Sequence, residues 1–398
     1  MDANIRLRYG KQNQFGVGAT RWLALVGWLM VTTASVTAQD GNRGSAEGQP
    51  GANQASKQQP GARAPGQAFR GVEARAAGEA QTAKVFDDAT QYVPPEELPI
   101  VDTPIDTLLR VEASAIRDQL TTVRVTADGK VTVEAQPDQN EVKTFGQLLE
   151  ELEAKASYRT TDLEGDRDTG GEPGERPDLQ PRTVIGTDTR TRVHNTQIYP
   201  YRTAGRIGIG CTGTLIGPRH VLTAAHCVYN IDNDQWYSEL NFSPGQNGVA
   251  SKPYGEITWK TAVTTLGWTR DHDRNYDYAL IVLNQDIGNQ VGWMAYSHDP
   301  SLPLHNININ GYPADLMPRQ LMWHSFGAMK IVQPFRIYHD ADTFGGNSGS
   351  GMYLYRSSDG SRTILGVHAY GVDGTGFNGA TRINANVKAK LDSWLTSY

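Results

Sequence analysis

Hydrophobic and polar positions change rhythm several times along the chain. Trp22 to Val31 is a single apolar run of ten residues. From 40 to about 80 large apolar side chains almost vanish, as in DGNRGSAEGQPGANQASKQQPGARAPGQ, and this composition predicts a disordered tether. Alternation then returns in TTVRVT and KVTVEA, which predict two strands joined by an Ala-Asp-Gly-Lys turn. Phe145, Leu148, Leu149 and Leu152 follow at helical spacing, with Thr144 placed to cap that helix. A small folded segment is therefore expected within 93–158. Residues 160–182 revert to acid, Gly and Pro, the composition of an exposed linker open to cleavage.

From Thr183 onward the pattern is different. Short apolar or alternating runs, GIGCTGTLIG, RHVLTAAHCV, YALIVL, NININGYP and TILGVHAYG, are separated by turn residues, which predicts an all-β barrel or sandwich. Only NANVKAKLDSWLTSY at the end has helical spacing, through Val387, Leu391 and Leu395.

Composition sharpens this division. The chain has 398 residues, of which 38% are hydrophobic, so part of it is expected to lie outside any core. The net charge of -6 divides into +3 over 1–38, -10 over 39–182 and +1 over 183–398. No block has the positive excess that phosphate binding uses, and a nucleic-acid partner is not expected. The first block reads as an export signal: Arg6, Arg8, Lys11 and Arg21 precede the apolar run, and Val36-Thr37-Ala38 offers small residues for cleavage after Ala38. Ten apolar residues are too few to span roughly 30 Å of hydrocarbon as a helix, and a secreted, extracellular protein without a membrane anchor is expected. Two cysteines, Cys211 and Cys227, exclude a disulfide-dense scaffold and a four-cysteine zinc site while permitting one bridge.

Candidate chemistry lies in the third block. His226 stands in TAAHC, Asp277 opens the apolar run in NYDYALIVL, and Ser348 sits in GGNSGS, at spacings of 51 and 71 residues. Asp271 and Asp273 compete with Asp277 but fall in the charged turn TRDHDRN. A nucleophile elbow of the α/β-hydrolase type would need glycine where Ser350 stands. In this order and context the three motifs resemble those of the chymotrypsin-like serine peptidases, over about 183–398. The resemblance implies an all-β fold of two six-stranded antiparallel β-barrels, the first over about 183–285 and the second over about 290–383. A C-terminal helix at about 384–396 follows, and a largely disordered pro-region precedes the barrels. It gives His226 the role of general base, Asp277 that of orienting it and Ser348 that of nucleophile, with the Gly346 and Ser348 N–H groups as the oxyanion hole. It also implies a Cys211–Cys227 bridge beside the base.

Within that family TVIGTDTRTRVHNTQIYPYR, DADTFGGNSGSGMY and GVHAYG are similar to the glutamyl endopeptidases of staphylococci and bacilli. By this likeness Thr343 and His368 receive a substrate glutamate, and a hydroxyl and an imidazole are suitable donors to a carboxylate. Asp342 points the other way. It lies six residues before Ser348, where trypsin-type enzymes attract Lys or Arg, so trypsin-like cleavage is the alternative. Maturation between Arg182 and Thr183 would leave the catalytic domain 183–398. A second, activating protease is implied, while self-cutting after Glu175 stays open. Residues 39–182 read as a propeptide, with a spacer or a retained binding module as competing readings. Asn241-Phe-Ser243 is a glycosylation sequon, meaningful only in a host that glycosylates secreted proteins. Polypeptide substrates, a monomer and no cofactor are expected. No metal-ligand cluster stands out, and a structural calcium ion on the acidic loops stays open. A secreted, non-catalytic binding protein on a peptidase fold is the reading from another class.

Overall fold

The computed structural model describes residues 80–82, 85–86, 111–154, 183–300 and 304–398. The expected export signal, the 160–182 linker and all of the 40–80 tether except Ala80 lie outside them. Two short strands come first, β1 (Ala80–Thr82) and β2 (Val85–Phe86). After α1 (Ala113–Gln119) come β3 (Thr122–Thr126) and β4 (Lys130–Val133), the hairpin foreseen from alternation. Its turn depends on Gly129, whose φ of 84° is costly for any residue with a Cβ. Next is α2 (Phe145–Ala154), opened by a capping box. The Gln147 N–H donates to Thr144 Oγ1 at 3.2 Å, and the Thr144 N–H donates to Gln147 Oε1 at 2.8 Å.

A two-residue strand, β5 (Thr191–Arg192), precedes the first barrel. The strands that follow are β6 (Ala204–Ile207), β7 (Thr212–Leu215), β8 (His220–Thr223), β9 (Tyr229–Asn230), β10 (Gln235–Tyr237), β11 (Phe242–Pro244) and β12 (Trp259–Thr265). A short α3 (Leu266–Thr269) leads toward β13 (Ala279–Leu283). Hydrogen bonding runs β11-β6-β7-β8-β13-β12, and an antiparallel bridge between Phe242 and Ile257 closes the ring at six strands. All five residues of β13 are buried, as befits a strand covered on both faces, and this is why YALIVL reads as a continuous apolar run.

The second barrel follows α4 (Gly288–Val291) and β14 (Ala295–Tyr296). Its strands are β15 (Asn306–Gly311), β16 (Trp323–Val332), β17 (Arg336–His339), β18 (Gly351–Arg356), β19 (Ser361–Tyr370) and β20 (Asn378–Arg382). They pair in the order β15-β16-β17-β20-β19-β18 and return to β15, again a closed ring of six antiparallel strands. Ile307, Ile309, Ile337, Met352 and Leu365 fill its core. Finally α5 (Ala385–Ser397) is capped by the Asn384 side chain, which accepts the Val387 N–H at 3.0 Å. Val387, Leu391 and Trp394 are buried in the main core cluster, and Leu395, half-buried, packs against it.

One arrangement was not foreseeable from local pattern. The β3–β4 hairpin does not stand apart: β3 pairs antiparallel with β12, Thr122–Thr126 against Thr261–Thr265. Ile116, Leu120, Val123 and Val125 share one hydrophobic cluster with Val263, Trp268, Leu391 and Trp394.

Candidate active site

Cys211 and Cys227 form a disulfide, with Cα atoms 6.0 Å apart. It ties the start of β7 to the 3-10 turn Ala225–Cys227, which carries His226 directly after β8. Asp277 arrives from another direction, at the end of a turn that Asp273 opens by accepting the Asn275 N–H at 2.9 Å. The Asp277 carboxylate accepts the backbone N–H of His226 at 2.9 Å through one oxygen. Its other oxygen lies 2.7 Å from His226 Nδ1. A carboxylate only accepts, so Nδ1 must carry the proton and Nε2 is left as the basic nitrogen. Asp277 is fully buried. Burial opposes its charge, but His226 and hydrogen bonds from His226 and Tyr370 outweigh that and hold its pKa below the ordinary value. Asp271 and Asp273 lack this contact: Asp271 pairs with Arg270, and Asp273 caps the turn.

Ser348 sits in a loop held from three sides. Its carbonyl accepts the Thr212 N–H at 2.9 Å and lies 3.7 Å from Cys227 Sγ, beside the histidine turn. Gly349 donates to His368 O at 2.8 Å, and His368 N–H returns a bond to Ser350 O at 2.9 Å. Gly349 is indispensable here, because a Cβ on it would come within 2.1 Å of Thr223 Oγ1 and its φ is 87°. The Gly345 carbonyl takes the Ala314 N–H at 2.8 Å, and the Asn347 carbonyl takes the Ser350 N–H at 3.0 Å. In a planar trans peptide N–H opposes C=O, so both contacts turn the next N–H groups, those of Gly346 and Ser348, the other way. Among the described residues neither N–H donates a backbone hydrogen bond. Unpaired backbone N–H groups of this kind are the donors from which an anion site is built.

Residues beyond the loop line a second group. The Thr343 Oγ1 is buried without a hydrogen-bond partner. His368 Nδ1 lies 3.3 Å from His339 Nε2, both rings being buried. Burial lowers the pKa of His339 to about 4; burial, with His339 and His226 nearby, pushes His368 well below its usual value. Both imidazoles are therefore neutral at neutral pH. Sequence reasoning missed His339, a lone histidine in RIYHDAD without a motif around it. Thr183 is buried against the same group: its hydroxyl donates to Thr343 O, and its carbonyl accepts from Asn378 Nδ2 at 2.9 Å. Arg182 lies outside the described residues.

Asp342, which sequence position offers as a receptor for a substrate cation, is engaged by the chain itself. One of its oxygens accepts the Ile185 N–H at 2.9 Å, and the other takes the Thr189 N–H and hydroxyl, each at 2.7 Å. These three hydrogen bonds anchor residues 185–189. The neighbouring Arg190 reinforces that anchor by pairing with Asp188 at 2.8 Å and Asp315 at 2.6 Å from a fully buried position.

Two closed six-stranded barrels, joined around such a constellation, define the chymotrypsin-like serine peptidases. The family described as Trypsin matches residues 184–395, and the chain belongs to it; it is a serine protease, a hydrolase of polypeptides. More particularly, it is similar to the glutamyl endopeptidase of Bacillus licheniformis, at 39% identity over 224 residues, covering 54% of this chain and 70% of that protein. A Bacillus subtilis protein named extracellular metalloprotease is 36% identical over 227 residues, covering 54% of this chain and 71% of that one. A solved Glu endopeptidase in complex with MPD superposes with a TM-score of 0.50 at 32% identity, over 54% of this chain and all of that one.

The metal in the Bacillus subtilis name has no matching donor set in the described part of this chain. There the one compact group of His, Cys, Asp and Glu is Cys211, His226 and Cys227, with ligand atoms within 4.8 Å of one another. Its sulfurs are joined to each other and supply no thiolate.

Proposed function

We propose that the protein is a secreted endopeptidase that hydrolyses peptide bonds after glutamate through an acyl-enzyme, with Ser348, His226 and Asp277 as its triad. His226 Nε2 takes the Ser348 hydroxyl proton as Oγ attacks the substrate carbonyl, and the resulting oxyanion is received by the Gly346 and Ser348 N–H groups. His226 then gives the proton to the leaving amine, leaving an ester on Ser348. A water activated by the same nitrogen hydrolyses it. Asp277 keeps the tautomer and stabilises the imidazolium throughout. The observation that supports this reading of the chemistry is the double contact of Asp277 with the main chain and ring of His226.

For specificity the supporting observations are the buried, unpartnered Thr343 Oγ1 and the buried, neutral His339–His368 pair. A buried hydroxyl without a partner costs free energy in the free enzyme, and a substrate carboxylate would supply the missing acceptor. The Arg or Lys alternative would need Asp342 to meet the substrate, whereas its oxygens already accept hydrogen bonds from Ile185 and Thr189. Export through residues 1–38 and maturation between Arg182 and Thr183 complete the proposal. The extracellular designation of the Bacillus subtilis relative is consistent with that route. A panel of chromogenic peptides differing only in the residue before the cut, offered to processed enzyme, tests the specificity. Faster cleavage after Arg than after Glu rejects it.

A further inference from the structure

We infer that residues 111–154 are a lasting wall of the catalytic body, which stays bound as a separate chain once the 155–182 stretch is cut. This rests on the proposed maturation before Thr183. Within the first ring, β12 pairs along one edge with β13 and the chain just before it meets β11 through the Ile257–Phe242 bridge, so the other edge of Thr261–Thr265 is paired by β3 and not by a strand of the ring. β3 makes this pairing through five residue pairs. The ladder is extended at its ends by Leu266 N–H to Thr121 O at 2.9 Å and Ala127 N–H to Lys260 O at 3.0 Å. Stripping the segment away would leave an open edge, the feature that makes sheets aggregate.

The segment also grips the other end of the catalytic domain. Asn386 accepts the Lys143 N–H at 2.8 Å and donates to the Lys143 carbonyl at 2.7 Å. Trp394 Nε1 donates to Thr122 Oγ1 at 2.9 Å, and Phe145 stacks on Phe335 with ring centres 5.7 Å apart. Val125 is wholly buried in the common core. Two further ties reach the stretch that ends in Asp277: Asp118 to Arg270 at 2.6 Å, and Gln119 to Tyr276 at 3.0 Å. Apolar burial and paired backbone of this kind belong to a permanent contact, whereas a leader designed to leave would bury less.

The test uses the full chain carrying Ser348→Ala, with a recognition sequence for an unrelated site-specific protease placed between residues 160 and 175. After cutting, both pieces are expected to elute together on native size-exclusion chromatography and to separate only in denaturant. The thermal midpoint is expected to stay within about 3 °C of the uncut chain. Elution of the two pieces apart in native buffer overturns the inference, whatever the state of the larger one. In the same cut chain Val125→Lys is expected to release the small piece, and retention overturns the assigned contact. Should that variant fail to fold, the unsubstituted cut chain decides. Because the cut is engineered, the result does not depend on natural maturation, which N-terminal sequencing of secreted enzyme tests separately.

Discussion

The Asp342 carboxylate holds Thr189 twice, by its backbone N–H and by its hydroxyl, each at 2.7 Å. A residue that sequence position marks as a cation receptor is thus a strut for the chain that follows Thr183. Asp342→Asn keeps the shape but loses the charge and one acceptor. It is expected to lower stability by about 1–3 kcal/mol, measured by denaturant unfolding, while the preference between Glu and Arg substrates stays on the same side. Inversion of that preference would show that the carboxylate reads substrate after all.

Thr343→Val separates specificity from stability. The hydroxyl it removes has no partner inside the protein, so the thermal midpoint is expected to hold or rise. Catalytic efficiency on a Glu peptide is expected to fall by about 10- to 100-fold, the cost of one hydrogen bond to a charged group. Unaltered efficiency would remove Thr343 from the pocket.

The proposed triad makes unequal demands on its members. Ser348→Ala is expected to abolish hydrolysis by about a millionfold. Asp277→Asn keeps the geometry but favours the wrong tautomer, and a loss on the order of ten-thousandfold is expected. Steady-state rates with active-site titration check both, and near-wild-type turnover by either variant contradicts the assignment.

Acid should weaken the fold. His220 and His339 are both held down to about 4 by burial, His220 with Arg219 adding to the effect. Their unfolded counterparts titrate near the ordinary histidine value of about 6.5. Between these limits the unfolded state binds more protons, so stability is complete above about pH 6.5 and falls as the pH drops toward 4. Urea titrations across that window are expected to show the decline, and His339→Gln to make it shallower. A flat profile would mean that both rings accept a proton in place.

The disulfide closes a loop of 16 residues beside the catalytic turn. Chain-entropy reasoning gives it about 3 kcal/mol, so the double Cys211→Ala, Cys227→Ala variant is expected to unfold at clearly lower denaturant. Intact protein treated with an alkylating reagent without reductant should keep its mass.

Much of this was legible in advance because it is local. The β3–β4 hairpin is marked by alternation and Gly129, α2 by Thr144 and Gln147, and β13 by an unbroken apolar run. The contact between His226 and Asp277 joins two short motifs that the sequence already set apart, TAAHC and NYDYALIVL. What stayed hidden depends on partners distant in sequence. Nothing in TVRVT says that it pairs with KTAVTT, more than a hundred residues away. His339 gains its place only from the fold that sets it against His368, and the donors that meet Asp342 come from residues 185–189, about 155 positions earlier.

The two closed rings carry one more consequence, for the enzyme's survival in its own company. A target taken up as an extended strand must pair its backbone with the surface that binds it. A substrate must therefore lend out hydrogen-bonding groups, and in these barrels those groups are committed to neighbouring strands, at the outer edge of β12 to β3. At high concentration the enzyme's molecules meet one another mostly as poor food, and self-digestion is steered to the loops and linkers between the strands.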